Sequence, residues 1–370
     1  MSDATETMTP LESDIRRRIA AAGPMPVGQY MSLCLTDPRH GYYVTRDPFG
    51  RGGDFTTAPE VSQMFGELIG LWIVSVWQQM GSPENIRIVE LGPGRGTMMN
   101  DAMRAAKVVP AFIDAAVLHF VEISPALETI QRETFAALEM PATWHKSIGD
   151  VPQGAAIFVA NEFFDALPIN QAVKMADGWH RRAVAIASDG AIVYRAEAEP
   201  MAHFESTLPA AIRNANEGEI FEWRSDTETM ELGRRIAREP GAALVIDYGH
   251  SESATGETLQ AVRDHLFADP LTTPGDADLT AHVDFEALGR GFEAMGAIAF
   301  GPIEQALFLK RLGIETRAET LRANAARAKV HEIDTAMARL TGFGRTGMGA
   351  LFKVMAVAHR SLGTPPGFES

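Results

Sequence analysis

Apolar positions fall along this chain in two rhythms. Ile86 to Leu91, Ala116 to Val121, Ala155 to Ala160 and Ala242 to Ile246 are runs without the period-two alternation of a half-solvated strand, so they read as buried strands of a parallel sheet. Leu351 to Ala358 reads as the final strand. Helical stretches lie between and before these runs. The first has a marked start, with Thr9 as N-cap, Pro10 at the first helical position, Glu12 completing a capping box and Gly23 past the end. Gly28 to Thr36 predicts a second, short helix, and Thr57-Ala58-Pro59-Glu60 repeats the capping logic to launch one long apolar helix to about Met80. From Gln171 to Ala196 the rhythm changes: three strand-like segments are joined at Asp177-Gly178 and Asp189-Gly190, which are hairpin signals. A polar helix over Asp226 to Arg238 then returns the chain to the next buried strand, and Asp284 caps a helix over Phe285 to Met295.

The chemistry sits where the buried strands stop. Val89-Glu90-Leu91-Gly92-Pro93-Gly94-Arg95-Gly96-Thr97 carries a strand into a glycine turn, where backbone can approach a ligand that any Cβ would push away. A dinucleotide fingerprint would read G-x-G-x-x-G/A; here Thr97 holds the last position, whereas E-x-G-x-G-x-G is the spacing of S-adenosylmethionine-dependent methyltransferases. A plain tight βα connection is the bland alternative. Glu122 ends the next strand, placed to accept hydrogen bonds from both hydroxyls of a bound ribose, or simply to sit as an acid at a helix N-terminus. Asn161-Glu162-Phe163-Phe164-Asp165 ends a third strand with an amide, two carboxylates and two aromatics, and Asp247-Tyr248-Gly249-His250 ends a fourth. The resulting expectation is an α/β fold: a Rossmann-like methyltransferase sheet with helices on both faces, an N-terminal helical extension and an inserted antiparallel β/helical lobe. The expected segments are 1–80 for the extension and its glycine-rich loop, 81–170 for the first half of the core and 171–240 for the lobe. The second half of the core follows over 241–362, with a lid loop at 251–283, and a flexible tail over 363–370.

Six motifs in order carry a more specific likeness. Gly53-Asp54-Phe55-Thr56-Thr57-Ala58-Pro59-Glu60 with Phe65-Gly66-Glu67, the glycine turn, Val121-Glu122-Ile123-Ser124-Pro125, Asn161 to Pro168, Asp247 to His250 and Asp278 to Phe285 together resemble the MidA family. The resemblance implies a methyltransferase fold and S-adenosylmethionine as cofactor, bound through Glu90, Gly92, Gly94, Gly96 and Glu122, with Asp54, Phe55 and Thr57 from the glycine-rich loop that folds over it. It also implies a protein substrate bearing a target arginine, since mitochondrial members of the family are regarded as protein arginine methyltransferases acting on a respiratory complex I subunit during assembly. A guanidinium is protonated and its lone pair delocalised, so carboxylates must hold it, localise its charge and accept the departing proton. Glu162 leads the expected catalytic set, with Asp165 as second acid and Asn161 orienting the acceptor. Phe163 and Phe164 could stack on the guanidinium, although core packing suits at least one. His265, Asp278 and His282 read as surface or capping residues outside that set.

Composition narrows this picture. A hydrophobic content of 46% over 370 residues supports a sizeable core, while a net charge of −15 argues against a nucleic-acid partner. One cysteine, Cys34, excludes an internal disulfide, and the ten histidines show no zinc spacing, so no metal is expected. No apolar run reaches the ~18 residues of a membrane span. The polar, acid-bearing Met1 to Met8 is unlike a signal or transit peptide, from which a cytoplasmic location is expected. A homodimer is left open, as are two other functions: methylation of a small molecule, and a cofactor-binding assembly chaperone without turnover.

Overall fold

The computed structural model describes residues 8–45, 57–263, 265–344 and 347–369. The chain divides into two compact units, one of Thr56–Phe164, Asp226–Ser251 and Val283–Ser370, the other of Met1–Phe55, Asp165–Ser225 and Glu252–His282. The five sequence segments therefore regroup: the N-terminal helices join the hairpin lobe, while the polar helix, observed at Thr227–Arg238, goes with the sheet unit. Shared apolar burial explains the first regrouping, because Leu11, Ile15, Tyr30 and Met31 pack in one cluster with Ile169, Val184 and Leu279.

The sheet unit is built on seven main strands: β1 (Ile86–Leu91), β2 (Ala116–Val121), β3 (Ala142–His145), β4 (Ala156–Asn161), β5 (Gly241–His250), β6 (Ile298–Glu304) and β7 (Phe352–Ala358). Their order across the sheet is β3-β2-β1-β4-β5-β7-β6, and Val283–Asp284 adds a short parallel pairing to the end of β5. β3, β2, β1, β4 and β5 run parallel, whereas β7 is antiparallel to both β5 and β6. The winding direction reverses between β1 and β4, which makes the crevice beyond their carboxyl ends the ligand position of an open α/β sheet. Strands β1, β2, β4 and β5 are apolar on both faces because helices cover both, and Ile88, Leu118, Ile157 and Leu244 are completely buried. The edge strands β3 and β6 were not foreseen: β3 is only four partly exposed residues, and the apolar start of β6, Ile298-Ala299-Phe300, is cut short by Gly301-Pro302.

Two other expectations change in this unit. The single helix expected from Thr57 to Met80 is two, Ala58–Val61 and Gln63–Gln79, broken at Ser62. Ser62 takes an extended conformation and its Oγ accepts the Met64 N–H at 3.2 Å, so a second N-cap outcompetes helix continuation. The tail expected to be flexible is packed where it is described: Trp72 Nε1 donates to Pro366 O at 3.1 Å, and the Phe368 ring lies 5.6 Å from that of Phe308. A fully buried indole N–H needs an acceptor, and the tail supplies it.

In the other unit, Ile169–Met175, Gly178–Ile186 and Ile192–Ala196 form the expected meander. Ile220–Arg224 pairs with its first strand and Met25–Pro26 with its second, giving five strands. The capping box of the first helix is half formed: Thr9 Oγ1 accepts the Glu12 N–H at 3.0 Å, while Glu12 Oε1 turns to Arg16. Cys34 is buried, and desolvation pushes its thiol up to about 12, which removes it as a nucleophile.

Candidate active site

The turn after β1 is held in a conformation that only glycine adopts freely. Gly92, Gly94 and Gly96 have left-handed φ values of 61°, 54° and 82°. Space is also short: a Cβ on Gly92 would lie 3.1 Å from the Phe163 ring, and one on Gly96 would lie 2.6 Å from Phe135 Cζ. Just before the turn, Glu90 is buried, and its Oε2 has no hydrogen-bond partner among the described residues. Desolvation holds its pKa well above the ordinary carboxylate value. A buried acceptor left unpaired costs about 1–3 kcal/mol, which a ligand's N–H or O–H would recover.

Glu122, at the end of β2, is buried, and both of its oxygens are engaged. Oε1 accepts the Ser124 N–H at 2.7 Å and Oε2 accepts from Gln131 Nε2 at 3.0 Å. Burial raises its pKa, and these hydrogen bonds oppose the rise. Each carboxylate oxygen can take a second donor, so capacity for two hydroxyls remains. Gln131 is completely buried; it also donates to Gly94 O at 2.7 Å and accepts from Trp144 Nε1 at 2.8 Å. It thereby ties the glycine turn to the acid of the neighbouring strand. The sequence reading missed it, though a signal was present: Leu127, Gln131 and Phe135 fall at i, i+4, i+8, one buried face of the helix Pro125–Phe135 with a glutamine at its centre.

At the end of β4 the backbone is strained. Glu162 has a φ of 51°, left-handed in a residue with a full side chain. Its N–H donates to Ile246 O at 2.9 Å, and Asn161 Nδ2 donates to its Oε1 at 3.2 Å. Asn161 Oδ1 is buried with no partner among the described residues. The fully buried Asp247 of β5 clamps the turn, its Oδ2 accepting the Phe164 N–H and its Oδ1 the Tyr248 N–H, each at 3.0 Å. Phe164 is core, whereas Phe163 stands against Gly92. Glu90, the three glycines, Glu122, Asn161 and Glu162 thus all sit at carboxyl ends of the parallel strands of one sheet.

Asp54 and Phe55 lie outside the described residues. Thr57 precedes the helix Ala58–Val61 without a side-chain capping bond, and Glu60 Oε1 instead accepts from Thr97 Oγ1 at 2.7 Å, at the start of the helix after the glycine turn. Asp165 is buried and belongs to the other unit, where its carbonyl accepts the Ala281 N–H at 3.1 Å. Asp278, read as a surface or capping residue, is instead buried in that unit and accepts from Tyr43 Oη at 2.9 Å. No group of three or more His, Cys, Asp or Glu among the described residues could hold a metal ion, and no described helix is long and apolar enough to cross a membrane.

Residues 68–303 match the family described as "Putative S-adenosyl-L-methionine-dependent methyltransferase". The chain is 39% identical to the mitochondrial protein arginine methyltransferase NDUFAF7 homolog of Drosophila melanogaster, covering 94% of this chain and 84% of that protein. It is 37% identical to mitochondrial NDUFAF7 of Homo sapiens, covering 86% of this chain and 76% of the human protein. A solved protein from Burkholderia thailandensis bound to S-adenosyl-homocysteine superimposes with a TM-score of 0.83 at 28% identity, over 96% of this chain and 93% of its own. The expected cytoplasmic location is corrected by the Drosophila and human relatives, which are mitochondrial proteins by name. A polar first stretch was too weak a signal on which to assign a compartment.

Proposed function

The chain belongs to this family of S-adenosyl-L-methionine-dependent methyltransferases, and from that premise we propose that it methylates an arginine guanidinium of a protein. Relatives at 37–39% identity named as protein arginine methyltransferases support the acceptor class. The MidA resemblance favours a respiratory complex I subunit as the acceptor protein.

The partnerless buried oxygen of Glu90 and the left-handed glycine turn fit a ligand that brings hydrogen-bond donors to a backbone stripped of side chains. In this reading Gly92, Gly94 and Gly96 let backbone approach the cofactor, Glu90 accepts from its donor groups and Glu122 accepts from its ribose. Thr57 is a further proposed contact, with Asp54 and Phe55. When bound, S-adenosylmethionine supplies a methyl already activated on a sulfonium.

The chain's own task is then to align the acceptor and remove its proton. We assign both to Glu162, with Asn161 Nδ2 steadying its carboxylate. Asp165, three residues further on, is the second acid proposed for this step. The observation that carries the assignment is the strained Glu162 backbone, costing about 1–3 kcal/mol and retained only because the Ile246 and Asp247 hydrogen bonds lock both sides of the turn.

Glu162→Gln preserves shape and removes charge. Single-turnover transfer of labelled methyl to an arginine-bearing complex I subunit should fall about a hundredfold or more, with cofactor affinity changed little. Undiminished transfer would exclude Glu162 as the acceptor's base, and label appearing only in small molecules would favour the small-molecule function.

A further inference from the structure

At the amino-terminal ends of the parallel strands, where β4 and β5 begin, lies a cavity of about 60 Å³. Gly154, Phe158, Arg235, Arg238 and Glu239 are among its lining residues. One water needs ~10–15 Å³ of such volume, so there is room for roughly four to six water-sized groups. Arg87 of β1 lies against Gly154: a Cβ there would stand 3.0 Å from the Arg87 Cζ and 3.2 Å from its Nη2. A side chain at position 154 would displace that guanidinium.

These cations lack the partners such groups normally have. The Arg87 side chain is half-buried, with no hydrogen bond or ion pair among the described residues. Among the described residues Arg235 donates only to backbone carbonyls, Ile148 O at 3.1 Å and Pro152 O at 2.7 Å, and its guanidinium lies 5.8 Å from the Phe158 ring centre. Arg234 is taken by Glu231. Among the described residues the cavity is lined by Arg234, Arg235 and Arg238 against Glu231 and Glu239, and with Arg87 beside Gly154 the cluster sets four cations against two carboxylates, in a chain whose net charge is −15. Burial and then the repulsion of Arg87 and Arg234 lower the pKa of Arg235, against the rule that arginine seeks a carboxylate. The dipole of the helix Thr227–Arg238 accounts for basic residues in its last turn, but Arg87 is on a strand.

We propose that this cavity is a second ligand site, for free inorganic phosphate or an equivalent small tetrahedral oxyanion. Four oxygens match the volume, and planar guanidinium forks grip such oxygens in pairs. Gly92 is five residues further along the chain, about 16 Å at the rise of a strand, so the ligand would not touch the cofactor turn.

Calorimetric titration of inorganic phosphate at constant ionic strength tests this. The intact chain should bind one equivalent saturably, Arg87→Gln should bind at least tenfold more weakly, and S-adenosyl-homocysteine affinity should be unchanged. Burial first, then His145, Arg87 and Arg235 hold His119 at a pKa of about 4, so its NMR titration midpoint should rise when phosphate offsets the two arginines. O-phospho-L-serine should bind more weakly than phosphate; tighter binding would move the site to a phosphorylated macromolecule and overturn the free-ion assignment. No saturable binding, or binding that chloride reproduces, would also overturn it. Should Arg87→Gln not fold, Arg238→Gln, altering an exposed side chain, decides by the same tenfold criterion.

Discussion

Glu122 shows how a buried carboxylate is oriented by its neighbours. Its carboxylate is buried, yet Ser124 and Gln131 orient both oxygens. Glu122→Ala should weaken S-adenosylmethionine binding about ten- to a hundredfold, the worth of hydrogen bonds to a charged acceptor. Gln131→Ala should give roughly tenfold and also lose about 2 kcal/mol of stability, since Gly94 O and Glu122 Oε2 lose a buried donor. Calorimetry on both single variants and the double variant checks this; strictly additive losses would mean that Gln131 does not act through Glu122. His119 offers a test on pH. It lies 2.9 Å from His145, and burial, then His145, then Arg87 push its pKa down to about 4. The unfolded chain protonates this residue near 6.5 while the folded one does not, so stability is full above that value and is lost as pH falls toward 4. The loss should be on the order of 2 kcal/mol after allowance for solvent screening. Urea unfolding at about pH 4.5 and 7 should show it in the natural chain and a smaller slope in His119→Asn.

At the scale of elements, the glycine turn joins β1 to the helix Thr97–Ala106 by combining three left-handed residues with a close aromatic neighbour. Gly96 is the N-cap of that helix at a φ of 82°, and the Phe135 ring occupies the space beside it. Phe135 is itself stacked on Phe120 at 4.2 Å, so it cannot easily yield. Gly96→Ala should therefore cost about 2 kcal/mol in stability and weaken cofactor binding together. Denaturation and titration on one preparation check both; an unaffected variant would show that the ring can move aside. The turn and its neighbouring strands were legible beforehand because apolar runs and glycine spacing are local signals. β3 was not, because an edge strand with half-exposed residues gains its identity only from pairing with β2. The break at Ser62 was hidden for a different reason: two capping residues five apart compete for one helix start, and local sequence ranks them nearly equally.

Across the whole chain, residues far apart in sequence finish each other's hydrogen bonding. The last residues supply Pro366 O to the Trp72 indole, Gly367 O to Arg311 Nη1 at 3.0 Å and the Phe368 ring to Phe308. Removing residues 364–370 should lower stability by about 2–4 kcal/mol, through an unsatisfied buried N–H and lost aromatic packing. The folded remainder should bind S-adenosyl-homocysteine within about twofold of the intact chain, since none of these contacts reaches the strand ends. Urea denaturation with cofactor titration separates the two effects; unchanged stability would mean that the indole finds another acceptor. The regrouping of the N-terminal helices with the meander is of the same kind, decided by apolar surfaces more than a hundred residues apart.

The sequence by itself determined the parallel strands, the hairpins, the glycine turn and the acids at the strand ends, because side-chain periodicity and turn stereochemistry act over a few residues. It also determined the methyltransferase family through the order of its motifs. Tertiary structure alone decided the strand order that puts β1 beside β4, the buried Gln131 linking Gly94 to Glu122, and the Asp247 clamp behind Glu162. Such features depend on which buried polar groups meet across the fold, and a buried donor must find its acceptor wherever the chain brings one.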